Sequence, residues 1–287
     1  MELTPDVQAQ LDAVRVSAAF AELDARVFEV SGPDARKWLN DLVTAGIHEL
    51  AVGDSCVSLL LDATGRVRSH FLVGRASEET YELVQSADQA EPVGKLLSRY
   101  VLSSAVTVSD LSEGMVAFRV PSPTSVPTAS WVFADAGAYV AGFPSVDLEA
   151  IRASLKAELV EAPDGFEAAR IVDGTPRFPA DFAETSVPAE AHWDDWMVDS
   201  TKGCFLGQES VAKIRNRGRP PFLVVGLRAE ARVEAGESVL LGEAETGKIT
   251  RVLTGPEGSY LVARVRWYSG ELPALLTTGG AELKLPT

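Results

Sequence analysis

Apolar and polar positions in the first part of the chain form short alternating runs and amphipathic stretches. Residues 27–30, VFEV, alternate in the manner of a half-buried strand. The following SGPDARKWLNDLV predicts a helix capped by Ser31 or Gly32, with its apolar side chains on one face. Three strands of an antiparallel meander are then predicted at CVSLLLD, VRSHFLVG and YELVQS, the first two joined by the turn ATGR.

The middle of the chain mixes strands and helices in no regular order. Asp88 is placed to cap a helix that carries Val93, Leu96, Leu97 and Tyr100. Strands are predicted at VTVSD, MVAFRV, WVFAD and YVAGF, and a further helix covers about residues 147–160, capped by Asp147. Because these elements do not form repeated βαβ units, the pattern predicts an α+β fold and not a doubly wound parallel sheet.

The pattern changes after Pro220 and Pro221. Short strands separated by glycine-rich turns follow without helical periodicity, at FLVVGLRA, ESVLLG, GKITRVL, YLVARVRWY and AELKLP. This predicts a small closed or sandwich-like β domain. We therefore expect an α+β region over residues 1–220 and a β-barrel domain over residues 221–287.

Charge and composition narrow the possible partners. The 287 residues include 41 acidic and 26 basic side chains, which gives a formal net charge of −15. Such a chain repels polyanions at long range, so broad nucleic-acid binding is disfavoured. The N-terminal residues show no basic segment followed by an apolar run, and no apolar stretch is long enough to cross a membrane. These features predict a soluble, cytoplasmic protein that does not bind membranes.

Cysteines and histidines are few and scattered. Cys56 and Cys204 are far apart, and His48, His70 and His192 include no i, i+4 pair, so no metal site is predicted. Cys56 lies within the apolar run VSLLL and is interpreted as a core residue. The chain has no GxGxxG or GxxxxGK[ST] loop, which leaves a dinucleotide or triphosphate site unsupported.

The stretch TKGCFLGQESVAKIRNRGRPP holds the residues with the clearest chemical potential. Cys204 stands beside Lys202 and just ahead of a helix that begins near Gln208, where exposed N–H groups and positive charge favour a thiolate. A buried apolar cysteine is the alternative at this position. Gln208 and Glu209 either cap the helix or turn their polar ends toward a ligand.

Four basic residues follow in the same stretch, namely Lys213, Arg215, Arg217 and Arg219. They can hold a small anion or dock a partner, or they can be a solvated helix end that suits the C-terminal dipole. The charge pattern by itself favours the solvated helix end.

The block KGCFLGQE, followed by a basic segment and RPP, resembles the KGC[YF]xGQE signature of YgfZ-type folate-binding proteins, which are relatives of the glycine cleavage T-protein. Three further segments are similar to family segments, namely SGPDARKWLNDLVT, LLLDATGRV and RIVDGTPRF. The resemblance implies a three-lobed T-protein-like fold, in which a partly discontinuous α+β core and a C-terminal β-barrel enclose a central channel. It also implies binding of tetrahydrofolate and a role in making or maintaining iron–sulfur proteins, with a link to tRNA modification.

The same resemblance assigns roles to residues of the signature. Cys204 is the residue regarded as functional in the YgfZ branch. The neighbouring residues Lys202, Gly203, Gln208 and Glu209 are expected to contribute to the folate site.

Three residues outside the signature block are further candidates for folate contacts. The guanidinium of Arg170 can meet the glutamate carboxylate of folate or pair with acidic neighbours inside the protein. Trp193 can stack on the pterin ring or belong to the core. Arg215, with the basic residues around it, can attract the glutamate tail.

Two positions depart from the T-proteins that transfer an aminomethyl group. His70 takes the place of the carboxylate in the strand after the LLDxxG turn, and imidazole lacks a permanent negative charge. Val172 replaces a second carboxylate, and Asp173 follows one residue later, which in a strand is the opposite face. A folate-dependent one-carbon transferase with His70 or Asp173 as base therefore remains the alternative function. His70 either lines the pocket or is a strand histidine with a satisfied ring.

Overall fold

A computed structural model describes residues 1–135, 137–270 and 273–286. The α-helices of this part are α1 (Pro5–Arg15), α2 (Ala35–Leu42), α3 (Val93–Ser98), α4 (Leu148–Lys156), α5 (Pro163–Val172) and α6 (Gln208–Arg217). Single 3₁₀ turns occur at Pro123–Ser125, Ser145–Asp147, Pro188–Ala191 and Trp193–Asp195.

The strands complete the mixed α+β architecture, which confirms the predicted fold class. The first ten are β1 (Ala19–Leu23), β2 (Ala25–Ser31), β3 (Ser55–Leu61), β4 (Val67–Arg75), β5 (Thr80–Ser86), β6 (Thr107–Asp110), β7 (Met115–Val120), β8 (Trp131–Asp135), β9 (Ala138–Pro144) and β10 (Val160–Glu161). The others are β11 (Phe222–Ala229), β12 (Ser238–Leu241), β13 (Ala244–Gly255), β14 (Gly258–Arg266), β15 (Leu275–Thr277) and β16 (Glu282–Leu283).

The chain divides into two compact units, each discontinuous in sequence. Unit 1 contains Met1–Ser17, Ala162–His192 and Ile214–Thr287, and unit 2 contains Ala18–Glu161 and Trp193–Lys213. The boundary expected at Pro220 and Pro221 coincides with no edge of either unit, because unit 1 joins the C-terminal strands with α1 and α5.

Unit 2 is a layered structure built on two five-stranded sheets. The first sheet has the order β3-β4-β5-β2-β6, and the second has the order β10-β1-β7-β9-β8. Apolar side chains of α2 and α3 pack on one face of the first sheet. Its other face packs against the second sheet, whose far side is covered by α4. The layers are therefore helix, sheet, sheet and helix, each burying the apolar face of its neighbour.

Unit 1 contains the antiparallel sheet β11-β14-β13-β12-β15-β16. Backbone hydrogen bonds between Arg228 and Lys284 connect the last strand to the first, so the sheet nearly closes into a barrel, as predicted. In the same unit, α1 begins at a Thr4 cap whose hydroxyl accepts a hydrogen bond from the Val7 amide, and it packs on α5.

Several predicted boundaries are wrong. Ser31 belongs to β2, and α2 starts after Asp34, whose carboxylate accepts a hydrogen bond from the Ala105 amide at 2.7 Å instead of capping the helix. The helix expected after Asp88 begins only at Val93, behind Pro92, and the helix expected to reach residue 160 ends at Lys156. Among the described residues, no helix combines the length and apolar character that a membrane span requires.

Candidate functional site

The signature loop, residues 202–207, runs in non-regular backbone directly into α6 and leaves Cys204 exposed. The side chain of Gln208, the first residue of α6, folds back over the loop. Its Oε1 accepts a hydrogen bond from the Phe205 amide at 3.1 Å, and its Nε2 donates to the Cys204 Sγ at 3.4 Å. Gln208 therefore binds a backbone N–H of the loop and not one of α6, and its amide nitrogen contacts the thiol. Cys204 is not the buried apolar cysteine of the alternative interpretation.

Two glycines allow the signature loop and the start of α6 to pack closely against the turn between β3 and β4. Gly207 has a φ of +84°, and a Cβ at this position would lie 2.5 Å from the Asp62 carbonyl oxygen. A Cβ on Gly65 would lie 2.7 Å from the Cβ of Ser210 in α6. Two segments of the sequence resemblance, LLLDATGRV and KGCFLGQE, are thus in direct contact within unit 2.

The turn beneath the loop is itself held by Asp62. Its Oδ1 accepts hydrogen bonds from the Thr64 amide at 2.8 Å, the Thr64 hydroxyl at 2.6 Å and the Arg66 amide at 3.1 Å. Burial raises the pKa of Asp62, but these hydrogen bonds outweigh it and leave the pKa below its ordinary value. The Asp62 carboxylate therefore stabilises the turn through these hydrogen bonds.

Lys202 is committed to the end of α2. Its Nζ donates to the carbonyl oxygens of Asn40 and, at 2.5 Å, of Val43, which are acceptors that the helix itself leaves unsatisfied. Burial lowers the pKa of Lys202 to about 8, although the charges of Asp199 and Asp41 act in the opposite direction. The ammonium expected to contact folate is thus bound to backbone carbonyls in this structure.

The segment before the loop is anchored on the residues that follow α2. The Thr44 hydroxyl donates to the Met197 carbonyl at 2.8 Å, and the Asp199 amide donates to the Thr44 carbonyl at 3.0 Å. Asp199 in turn accepts hydrogen bonds from the amide and the hydroxyl of Thr201. Sequence reasoning missed Asp199, although Thr44 ends the segment SGPDARKWLNDLVT that carries part of the resemblance.

His70 and Trp193 lie together in unit 2. Their rings stack with centroids 5.0 Å apart and an interplanar angle of 26°, and Trp193 is only 3% exposed. Burial lowers the pKa of His70 to about 4, while Asp135 raises it and Arg119 lowers it further. At neutral pH the imidazole is therefore uncharged and is a weak proton acceptor.

The backbone of His70 is fixed by a buried amide. Gln89 accepts a hydrogen bond from the His70 amide at 3.0 Å and donates one to the His70 carbonyl at 2.6 Å. Ser69 and Gln85 extend this network, in which all three side chains are almost fully buried. A satisfied buried network of this kind fixes the position of the strand.

Arg170 pairs inside unit 1, as the second of its two interpretations predicted. Its guanidinium binds both oxygens of Glu167, and its Nη1 donates to the buried Asp181 at 2.8 Å. The segment RIVDG is the end of α5 and its C-cap, so the strand argument for Val172 and Asp173 is wrong. Asp173 is instead paired with Arg15, with an Nη2 to Oδ1 distance of 2.5 Å.

The comparisons with known proteins agree with this architecture. Residues 2–156 match the family described as GCVT N-terminal domain, which is more than half of the chain. The chain belongs to this family. The wider resemblance to glycine cleavage T-proteins is thereby confirmed.

GCVT-family relatives fall into more than one functional class. An aminomethyltransferase of Streptomyces avermitilis is 23% identical over 285 residues, covering 85% of this chain and 76% of that protein. An uncharacterised protein of Haemophilus influenzae is 22% identical over 225 residues, 75% of each chain. A mitochondrial iron–sulfur cluster assembly factor IBA57 homolog of Chaetomium globosum is 25% identical over 260 residues, 78% of this chain but 60% of that protein.

A solved structure of the GCVT family shows the same fold. The glycine cleavage system aminomethyltransferase T from Bartonella henselae superposes with a TM-score of 0.84, covering 98% of this chain and 88% of that one. The two sequences are 17% identical, so this likeness concerns the fold alone.

Other predicted site residues of this GCVT-family chain are exposed. Gly203 and Glu209 lie at the surface, as Cys204 does. Lys213, Arg215 and Arg217 project from the second half of α6, and none of them has an ion-pair partner within the described ranges.

Cys56, by contrast, behaves as a core residue. It packs at the edge of the apolar cluster beneath α2 and α3. Burial raises the pKa of the Cys56 thiol to about 12, against a lowering influence of Lys202. In the part of the chain that the structure covers, no cluster of three or more His, Cys, Asp or Glu side chains is arranged to hold a metal ion.

Proposed function

We propose that the protein binds a reduced folate and acts, through the thiol of Cys204, in the assembly or maintenance of iron–sulfur proteins, as a member of the YgfZ branch. The main observation behind this proposal is that the signature loop exposes the thiol of Cys204, which accepts a hydrogen bond from Gln208 at the start of α6. Further support comes from relatives described as iron–sulfur cluster assembly factors and from the family relation to aminomethyltransferases.

The physical case for Cys204 rests on pre-organisation. The contacts of Gly207 with Asp62 and of Gly65 with Ser210 leave the loop little room to move. A thiol on such a rigid support meets a ligand or client at low entropic cost. Lys202 of the loop and Gln208 of α6 form hydrogen bonds inside the protein, and the thiol of Cys204 remains at the surface.

Calorimetric titration with 5-formyltetrahydrofolate tests the folate part of the proposal. We expect saturable binding by the wild type. The same titration on Arg215→Ala is expected to show weaker binding if the exposed cation attracts the glutamate tail, whereas Lys95→Ala, on α3, is the control for loss of a single charge. Absence of heat at millimolar ligand would remove folate binding from the proposal.

Alkylation by iodoacetamide followed by peptide mass spectrometry tests the thiol. Cys204 is expected to react at neutral pH, and Cys56 only after unfolding, because it is half-buried and its pKa is raised to about 12. A Cys204→Ser variant should lose the ability to support iron–sulfur enzyme activity in a cell depleted of the native protein, while Cys56→Ser should retain it. Equal complementation by both variants would refute a role for the Cys204 thiol.

Aminomethyl transfer is the second candidate, favoured by the aminomethyltransferase relative from Streptomyces avermitilis. The burial of His70 opposes it, because burial lowers the pKa of the imidazole to about 4 and makes it a weak base. Asp173, the other candidate base, lies exposed at the end of α5 and is paired with Arg15. The assay is tetrahydrofolate-dependent release of formaldehyde from an aminomethyl donor. Release that disappears in His70→Ala but not in Asp173→Ala would establish this activity and displace the first proposal.

A partner-docking role is a separate property of the basic end of α6. Lys213 and Arg215 are exposed and lack ion-pair partners among the described residues, in a chain with an excess of acidic groups. Binding of an acidic partner protein should weaken steeply with salt and should be lost in the Lys213→Ala/Arg215→Ala double variant. Retention of 5-formyltetrahydrofolate binding in that variant would separate docking from folate recognition.

A further inference from the structure

One row of residues crosses the first sheet of unit 2 with two carboxylates side by side. Gly74 on β4 pairs with Glu82 on β5, Glu82 pairs with Glu29 on β2, and Glu29 pairs with Ser109 on β6. Residues paired across neighbouring strands point to the same face of a sheet, so the side chains of Glu82 and Glu29 are direct neighbours, and the charge of Glu29 acts on Glu82. Like charges in this position repel each other and destabilise the sheet.

Glu82 lies in apolar surroundings. The residue is 7% exposed, and its Oε2 has no hydrogen-bond partner among the described residues. The ring of Phe133 covers the adjacent Gly74, with ring atoms 2.2 Å from the point where a Cβ would stand. Leu72 and Val84, on the same face, belong to the apolar cluster that joins the two sheets. A buried, unbonded carboxylate is strongly disfavoured in its charged form.

No cation compensates this carboxylate within the described chain. On the facing sheet, Arg119 on β7 and Asp135 on β8 are paired with each other and act on the pKa of His70, and neither contributes to the pKa of Glu82. His70, on β4, is uncharged at neutral pH. Burial, and then the charge of Glu29, raise the pKa of Glu82 from 4.5 to about 7.

We propose that Glu82 and Glu29 form a proton-binding site, in which one proton taken from solvent sits on a Glu82 oxygen and is donated to the Glu29 carboxylate. A proton fits this row better than a metal ion does. Ca²⁺ takes about six to eight oxygen ligands. The row offers side-chain oxygens from Glu82, Glu29 and Ser109, and from Ser55, whose hydroxyl already donates to the Ala134 carbonyl, and the ring of Phe133 covers Gly74. Release of the proton restores the repulsion and makes unit 2 less stable.

The direction of the pH effect follows from linkage. A group with a raised pKa in the folded state stabilises fully below its unfolded value of 4.5, and this stabilisation is lost as pH rises through about 7. A shift of this size corresponds to a change of at most about 300-fold in the folding equilibrium constant.

The direct test is a ¹³C NMR titration of the Glu82 side-chain carboxyl in the wild-type protein. We expect a midpoint near neutral pH, which moves down in Glu29→Gln because the neighbouring charge is gone. A wild-type midpoint below about pH 5, the range of ordinary glutamates, would overturn the proposal.

Urea unfolding supplies the second readout. Glu82→Gln mimics the protonated form, so the ratio of its folding constant to that of the wild type should rise at least tenfold between about pH 5 and about pH 8. Glu79→Gln, in the exposed turn between β4 and β5, is the control and should follow the wild type. A constant ratio for Glu82→Gln contradicts the proposal. So does a rise in the wild-type melting temperature on addition of CaCl₂ that Glu82→Gln lacks, because it would assign the site to a cation.

Discussion

Replacing Gly207 by alanine should damage the signature loop far more than the same change at Gly203. Both glycines have left-handed backbone, with φ of +84° at Gly207 and +96° at Gly203. Only Gly207 is confined: its added Cβ would lie 2.5 Å from the Asp62 carbonyl oxygen, whereas a Cβ on Gly203 would meet no atom within 4 Å apart from its chain neighbours. The pair therefore separates the cost of backbone conformation from the cost of the contact.

The size of the difference follows from these two terms. An alanine with left-handed backbone lowers the free energy of unfolding by about 1–2 kcal/mol. Because alanine has less conformational freedom than glycine in the unfolded chain, the same substitution raises it by about 0.4–1 kcal/mol. Both variants share these two contributions, so Gly203→Ala should lower the free energy of unfolding by no more than about 1.6 kcal/mol. Gly207→Ala must also displace the backbone at Asp62 or the loop itself, and such overpacking costs about 1–3 kcal/mol more.

Urea denaturation followed by circular dichroism measures both variants against the wild type. The same displacement should break the contact of Gln208 with the Cys204 sulfur, so the alkylation rate of Cys204 should change in Gly207→Ala and not in Gly203→Ala. If the two variants lose equal stability, within about 0.5 kcal/mol, the loop is not pressed against the turn and the argument for its rigidity fails.

Three further predictions concern side chains bonded inside the units. Glu190→Ala should lower the free energy of unfolding by about 1–3 kcal/mol, because Glu190 is fully buried and its loss leaves the half-buried guanidinium of Arg264 without its carboxylate partner. In the same urea titration Glu230→Ala, at an exposed ion pair with Lys284, should lower it by less than about 1 kcal/mol. Burial lowers the pKa of His70 in the folded protein to about 4, so the NMR signals of its ring should not titrate between about pH 5 and about pH 8. For the same reason the free energy of unfolding of the wild type should fall relative to that of His70→Phe as pH decreases below 6.5. Lys202→Met should lower the free energy of unfolding by about 1–3 kcal/mol, because carbonyl oxygens at the end of α2 lose their hydrogen-bond donor. Thermal unfolding measures the loss, and Lys213→Met, at an exposed position, should unfold like the wild type.

Local apolar periodicity was sufficient to predict most strands. The meander β3, β4 and β5 was predicted within a residue or two because each strand alternates or is uniformly apolar and is bounded by turn residues. The start of α2 was not predictable in the same way. Asp34 meets the amide of Ala105, which lies 71 residues away in the sequence, and this tertiary contact decides where the helix begins.

The error at Val172 and Asp173 has a different cause. Similarity to a family motif suggested a strand for this segment, whereas the spacing of its apolar residues is that of a helix. Ala168 and Ile171 are buried against α1, as the inner face of a helix requires. In a helix, a one-residue shift rotates a side chain by about 100° and does not reverse its face. The departure at this position therefore says less about lost chemistry than the strand argument implied.

The sequence indicated candidate residues for the site but not their partners. It left open whether Cys204 is exposed or buried, and the structure places it at the surface. The partners of Lys202 and Arg170 are carbonyls and carboxylates that folding brings near, and a sequence does not reveal which donors such contacts will consume.

These internal contacts limit which cationic side chains can bind an anionic ligand. A cation that already neutralises a buried carboxylate or caps a helix cannot turn to an anionic ligand without leaving its partner unpaired, which costs about 1–3 kcal/mol or more. Arg170 and Lys202 both have such partners. The exposed Arg215 has no ion-pair partner among the described residues. The free energy of anion binding should therefore depend more strongly on Arg215 than on Arg170. Salt should weaken it as it does any exposed charge pair.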